Sequence, residues 1–206
     1  DQSYALSTLG QSDLKRTLFP VGSYTKTKIR SLASDFALPV AQRQDSQDLC
    51  FLADKDYRRF MYDYAPQSLN PGLIMNSSGE TLGEHKGLPL YTIGQRKGIG
   101  ISASEPLYVL SKNQSDNTLI VDKLSNLGKK HLKAKKVNWI SGNSTEHKIR
   151  AEVQIRYTAK AEAAWIKPIN DNEVEVEFDH QINDITPGQA AVFYQDSVCL
   201  GGGVID

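Results

Sequence analysis

No uninterrupted apolar run in this sequence approaches the ~18 residues that a helical membrane span needs, and its start carries no basic-then-apolar leader pattern. A cytoplasmic location without a membrane partner is therefore the expectation. Cysteine is scarce. Cys50 and Cys199 are the only two in 206 residues, no C-x-x-C occurs, and there are four histidines. That supply excludes a disulfide framework and the usual zinc clusters, so no metal is expected and reduced thiols fit best. Net charge is missing as well: 24 Lys and Arg balance 24 Asp and Glu. No global field draws nucleic acid or a membrane surface, and any such site must be local. An initiating methionine is also lacking, since the chain opens Asp1-Gln2-Ser3-Tyr4, and the expectation is a piece of a longer or processed protein.

What is present divides by period. The length allows one large or two to three small domains. Residues 11–19 read as a short helix stopped by Pro20. Thr25 then caps a helix in which Ile29, Leu32, Ala33 and Phe36 fall on one face, up to Leu38-Pro39. Asp54 or Asp56 caps another, with Tyr57, Phe60, Met61 and Tyr64 as its apolar stripe, Arg58 and Arg59 facing out, and Pro66 at its end. Beyond Pro66 the pattern becomes alternating. Residues 72–75 and 81–83 flank an Asn-Ser-Ser-Gly turn, and residues 107–110 and 118–121 flank a second polar turn, so two hairpins are expected. The last third is the clearest. Ile149, Ala151, Val153, Ile155 and Tyr157 alternate with charged or polar residues, as do Val174, Val176 and Phe178. With shorter apolar segments at 161–166, 190–194 and 197–200, this spacing argues for a small barrel or sandwich. The fold class is α+β: a short helical segment (1–65) followed by two small β-rich domains (66–132 and 133–206).

Three stretches invite chemistry, each with a plainer alternative. Cys50 follows the polar run Gln44-Asp45-Ser46-Gln47-Asp48 and precedes Phe51-Leu52, which places a thiol on a loop. A free cysteine is also commonly a small buried hydrophobe, and Asp45 and Asp48 carry the wrong charge to activate a thiolate. Residues 94–101 (Gly-Gln-Arg-Lys-Gly-Ile-Gly-Ile) permit unusual backbone angles but match no phosphate-loop pattern, so a plain connection is equally open. Residues 129–136 hold five lysines and a histidine with no acid, a candidate for phosphate contact or simply a solvated face. Cys199 lies between Val198 and Leu200 and reads as a structural strand residue.

Taken together, Asp1-Gln2-Ser3-Tyr4, Leu18-Phe19-Pro20, Asp45-Ser46, Leu49-Cys50-Phe51, Tyr91-Thr92-Ile93-Gly94-Gln95-Arg96-Lys97-Gly98, Arg156-Tyr157, Thr186-Pro187-Gly188-Gln189 and Gly201-Gly202-Gly203 resemble the tRNA-specific 2-thiouridylase (MnmA/TrmU) family, in the family's order and over the whole chain. The resemblance implies that the last domain is a β-barrel. It also implies an enzyme, a sulfurtransferase that adenylates C2 of a wobble uridine in tRNAs of the Lys, Glu and Gln type. ATP with Mg would be held by an N-terminal pyrophosphatase domain that this sequence lacks, with no cofactor in this chain, which alone would be inactive. Sulfur would arrive as a persulfide on Cys50, delivered by a sulfur-relay protein or cysteine desulfurase. A second cysteine, also absent here, would release it reductively or form a disulfide with Cys50. Asp1, Gln2, Arg156, Tyr157 and Gln189 match tRNA contacts. The chain departs from the family at Gln44 and Thr158, where basic residues are usual. The alternative is a non-catalytic RNA-binding module of translation-factor type, in which the barrel and residues 129–136 bind RNA and Cys50 merely packs.

Overall fold

The two longer helices start at side-chain caps, as the sequence predicts. In the computed structural model, which describes residues 2–43, 56–183 and 185–206, α1 (Ser3–Leu6) and α2 (Gln11–Leu14) are single turns, followed by α3 (Lys26–Asp35) and α4 (Tyr57–Tyr64). Thr25 Oγ1 accepts the Lys28 N–H at 3.3 Å and Asp56 Oδ1 accepts the Arg59 N–H at 3.0 Å, each satisfying a donor that the first helical turn leaves open. The helix expected over residues 11–19 is shorter. Thr17 Oγ1 donates to the Asp13 carbonyl at 2.7 Å, and the Arg16 and Thr17 N–H groups bond to carbonyls three residues back, so the chain has left helical geometry before Pro20. Of the α4 stripe, Met61 packs on the neighbouring core and Phe60 stacks on Tyr64 with ring centres 4.8 Å apart, while Tyr57 and Tyr64 stay exposed.

The two expected hairpins form one sheet. β1 (Gly72–Met75) and β2 (Thr81–His85) pair antiparallel, as do β3 (Tyr108–Asn113) and β4 (Thr118–Asp122), and β1 joins β4 in parallel to give the order β2-β1-β4-β3. Ile74, Val109, Leu119 and Val121 are completely buried on its inner face. His85 ties the hairpins together: its Nδ1 accepts the Gly87 N–H at 3.0 Å, which leaves Nε2–H to donate to the Asn117 carbonyl, also at 3.0 Å.

The remaining six strands close into a barrel. β5 (Lys129–Trp139), β6 (Ile149–Gln154), β7 (Glu162–Asn170), β8 (Glu173–Ile182), β9 (Ala190–Gln195) and β10 (Val198–Ile205) run in the order β10-β5-β8-β7-β6-β9. The strict alternation in β8 puts Val174, Val176 and Phe178 inside, each contributing about 1.5–3 kcal/mol of burial. Closure removes sheet edges and fixes the choice between barrel and sandwich. The architecture is α+β with a terminal barrel.

α1 is seated on the outside of this barrel. Ser7, just past its end, is buried; the Asn138 side chain on β5 donates to the Ser7 carbonyl at 2.8 Å and to the Leu9 carbonyl at 3.1 Å. The Gly201-Gly202-Gly203 run of β10 makes room for this approach, because a Cβ on Gly202 would stand 3.3 Å from Ser7 Oγ and 2.8 Å from the Ala191 carbonyl oxygen.

Candidate nucleic-acid interface

Seating α1 on the barrel brings residues from opposite ends of the chain together. The Gln2 amide donates to the Tyr157 hydroxyl at 3.4 Å. Tyr4 meets Tyr157 edge to face with ring centres 6.1 Å apart and donates its hydroxyl to the Ala190 carbonyl at 2.9 Å. Ser3 Oγ and the Tyr194 hydroxyl lie 3.0 Å apart. Burial pushes both the Tyr4 and Tyr194 phenols up from their ordinary value. The charge of Tyr194 reinforces the shift at Tyr4 and the nearby Arg156 opposes it, whereas the Ser3 hydrogen bond opposes it at Tyr194. The Tyr4 and Tyr194 phenols therefore stay protonated at neutral pH.

Arg156 and Tyr157 sit on the bend that follows β6, and one side chain shapes that bend. The Gln154 amide nitrogen lies 3.0 Å from each of the Arg156, Tyr157 and Ala159 carbonyl oxygens. Tyr157 is left 55% exposed. Arg156 donates to Thr186 Oγ1 at 3.1 Å, which places it against the turn carrying Gln189. That turn is anchored by its backbone: Gly188 N–H donates to the Ile205 carbonyl and Ile205 N–H to the Gln189 carbonyl, both at 2.8 Å, so the Gln189 side chain is exposed on a fixed frame. Gln2, Arg156, Tyr157 and Gln189 thus share one face of the barrel, with exposed amide and phenol groups and a half-buried guanidinium suited to phosphate, sugar and base edges. Asp1 and Cys50 lie outside the described residues. Ser3, Tyr4, Gln154 and Tyr194 were not singled out from the sequence; the only signal was that Ser3 and Tyr4 continue the Asp1-Gln2 motif.

The other two candidate stretches resolve into structure. In residues 94–101, Gly94 N–H donates to the Val109 carbonyl at 2.8 Å, Val109 N–H to the Gln95 carbonyl at 2.9 Å, and Ile99 is buried in the core beneath the sheet. No helix begins at this loop, the Gly94 N–H is already used, and Arg58 donates to the Gly98 carbonyl at 3.4 Å. The segment does not fit a triphosphate. The basic run is strand β5, lying antiparallel to β8 with His131 opposite Glu177, Lys133 opposite Glu175 and Lys135 opposite Glu173. Lys133 pairs with Glu173 at 3.3 Å and Lys135 with Asp206 at 2.7 Å. The row faces acids within the fold, which favours the solvated-face reading. Cys199, on β10, is half-buried, and burial pushes its thiol up. Among the described residues no three acidic, histidine or cysteine side chains gather so as to hold a metal ion.

Three known families match successive parts of the chain. Residues 1–54 match a tRNA methyl transferase HUP domain, residues 58–123 a tRNA methyl transferase PRC-barrel domain, and residues 129–205 an aminomethyltransferase beta-barrel domain. The tRNA-specific 2-thiouridylase MnmA of Roseiflexus castenholzii is 45% identical over 205 residues, covering 100% of this chain and 55% of the relative. The proteins of the same name from Halothermothrix orenii and Natranaerobius thermophilus are 43% and 42% identical over 205 residues, again over 100% of this chain and 57% and 56% of the relatives. The chain spans a little over half the length of these relatives. With identity of this level running through all three matched regions, the chain belongs to the tRNA-specific 2-thiouridylase family.

Proposed function

We propose that this chain is part of a tRNA-uridine 2-sulfurtransferase, in which it supplies the tRNA-holding barrel face and the persulfide cysteine. In this reading the complete protein, acting in the cytoplasm, uses ATP and Mg bound outside this chain to adenylate C2 of the wobble uridine in tRNAs of the Lys, Glu and Gln type. A sulfur-relay protein or cysteine desulfurase loads Cys50 as a persulfide. Its terminal sulfur attacks C2 and AMP departs. A second cysteine thiol then attacks Cys50 Sγ, which leaves 2-thiouridine and a disulfide that a thiol reductant must reopen. The role of this chain's other residues is binding and orientation: Arg156 at a phosphate, Gln2 and Gln189 as amide partners, Tyr157 as a stacking surface, and Asp1 beside them in sequence.

One observation supports the reading most. Gln2 and Tyr157, 155 positions apart, are hydrogen-bonded to each other, and Arg156 joins them to the Gln189 turn. The alternative of a non-catalytic RNA module leaned on the lysines of β5, and their acidic partners on β8 and at Asp206 weaken it. Cys50→Ser in the complete protein tests the proposal. Nucleoside mass spectrometry should show no 2-thiouridine while tRNA affinity stays within a few-fold, since a hydroxyl cannot carry sulfane sulfur. Arg156→Ala should do the reverse, lowering affinity while saturating tRNA is still thiolated. Full thiolation by the Cys50 variant refutes the assignment. The chain by itself, with no phosphate-cradling loop among its described residues, should neither hydrolyse ATP nor thiolate tRNA.

A further inference from the structure

Between α1 and the barrel wall runs an open groove of about 440 Å³ that the contacts above leave unused, within the range of small-ligand sites. Its sides are aromatic. Tyr4 and Tyr194 line it beside the more exposed Tyr157, and Ala161 and Gln154 complete the wall toward the β6–β7 bend. Its polar end is acidic. Glu152, the direct cross-strand partner of Tyr194, and Asp196, in the two-residue turn between β9 and β10, both line the groove. Neither carboxylate has an ion-pair partner among the described residues, and no lysine or arginine lines the groove. A phosphate would be repelled there. A flat aromatic ring bearing an N–H donor suits it, because the tyrosines supply stacking and a carboxylate accepts from an exocyclic amine.

We infer that this groove is a base-reading subsite, taking one unstacked nucleobase that carries an exocyclic amine, with Tyr157 and Tyr194 as its walls and Glu152 as the acceptor. Uracil has no exocyclic amine; its one base-edge donor, the ring N3–H, is flanked on both sides by carbonyl lone pairs that face Glu152, and it is disfavoured. The base read here is therefore a neighbour of the modified uridine or lies elsewhere in an unpaired loop. The inference rests on the proposed RNA-binding role of the same face and adds to it a preference for particular bases.

Fluorescence anisotropy with six-nucleotide oligoadenylate, oligocytidylate and oligouridylate tests it on the chain as it stands. Oligoadenylate and oligocytidylate should bind at least about fivefold more tightly than oligouridylate, the discrimination a single good base-edge contact provides. Glu152→Gln should collapse that ratio toward one, mainly by strengthening oligouridylate binding as a repulsive charge is lost. Tyr157→Ala should weaken all three. Arg156→Ala separates the two ideas. Equal binding of all three oligomers with loss on Arg156→Ala overturns the base subsite and leaves the RNA-binding face standing, as does a preference that survives Glu152→Gln. Binding of none of the three overturns both.

Discussion

Gly201 shows how much one residue carries. It sits at φ 149° inside β10, and a Cβ there would stand 2.0 Å from the Asn138 carbonyl oxygen of β5. No rotamer relieves such a clash, because the obstacle is backbone. Gly201→Ala is expected to cost about 2–4 kcal/mol from overpacking and strain together, read as a lowered melting temperature with barrel circular dichroism retained below the transition. Cys199, two residues earlier, gives a pH test. Burial raises its thiol, so at neutral pH less of it is thiolate than of a free cysteine. Alkylation of the native chain should label Cys50 well ahead of Cys199, and Cys199 should catch up only as the pH rises beyond the ordinary thiol range. The same shift has a stability sign. The unfolded thiol ionises first, so the contribution is present below its ordinary pKa and is lost as the pH rises through the folded value. Preferential labelling of Cys199 at neutral pH would count against the assignment of Cys50.

At the scale of elements, legibility followed periodicity. β6 and the first part of β8 were plain because every second residue is apolar over residues 149–153 and 174–178, the α3 cap was plain at Thr25, and the α4 cap, open between Asp54 and Asp56 in the sequence, falls to Asp56. β5 was not. Leu132 and Ala134 face inward, then Lys136 adopts φ 53° where the β5–β10 register slips, and Val137 and Trp139 face inward in the opposite phase. A bulge of this kind breaks a period of two, and five lysines made the segment look like a charge run. The start of β10 was expected at residues 197–200, but its continuation to Ile205 hid for another reason, since Gly201-Gly202-Gly203 has no side chains with which to signal a strand. The bend at 156–159 was invisible too, because Gln154 holds it through three carbonyls that no sequence pattern encodes. That gives a test. Gln154→Ala should raise amide exchange over residues 156–160 and cost roughly 1 kcal/mol of stability, while weakening RNA binding although Arg156 and Tyr157 are intact. Unchanged exchange there would mean that the bend stands without its amide.

For the whole molecule the decisive quantity is where charge is left over. The formal net charge of zero conceals two opposed rows, the lysines of β5 against the glutamates of β8, with Lys148 on Glu177 at 3.1 Å and Arg150 on Asp179 continuing the pattern around the barrel. Exposed pairs of this kind stabilise the fold little, yet they cancel much of the field that would reach a polyanion. The proposed RNA-binding face was suggested only by the family resemblance, because a hydrogen bond between residues 2 and 157 leaves no local trace; the cancellation was readable in principle, since both rows are visible as strings. A salt titration distinguishes the two surfaces. Each phosphate contact adds about 0.7–0.9 to the slope of log affinity against log salt. Arg156→Ala should therefore flatten the slope by roughly one contact, whereas Lys133→Ala with Lys135→Ala should leave it nearly unchanged, because those ammonium groups already have carboxylate partners in the free protein. If the lysine double variant flattens the slope as much as Arg156→Ala does, RNA displaces the acidic partners and the contact surface extends around the barrel to β5.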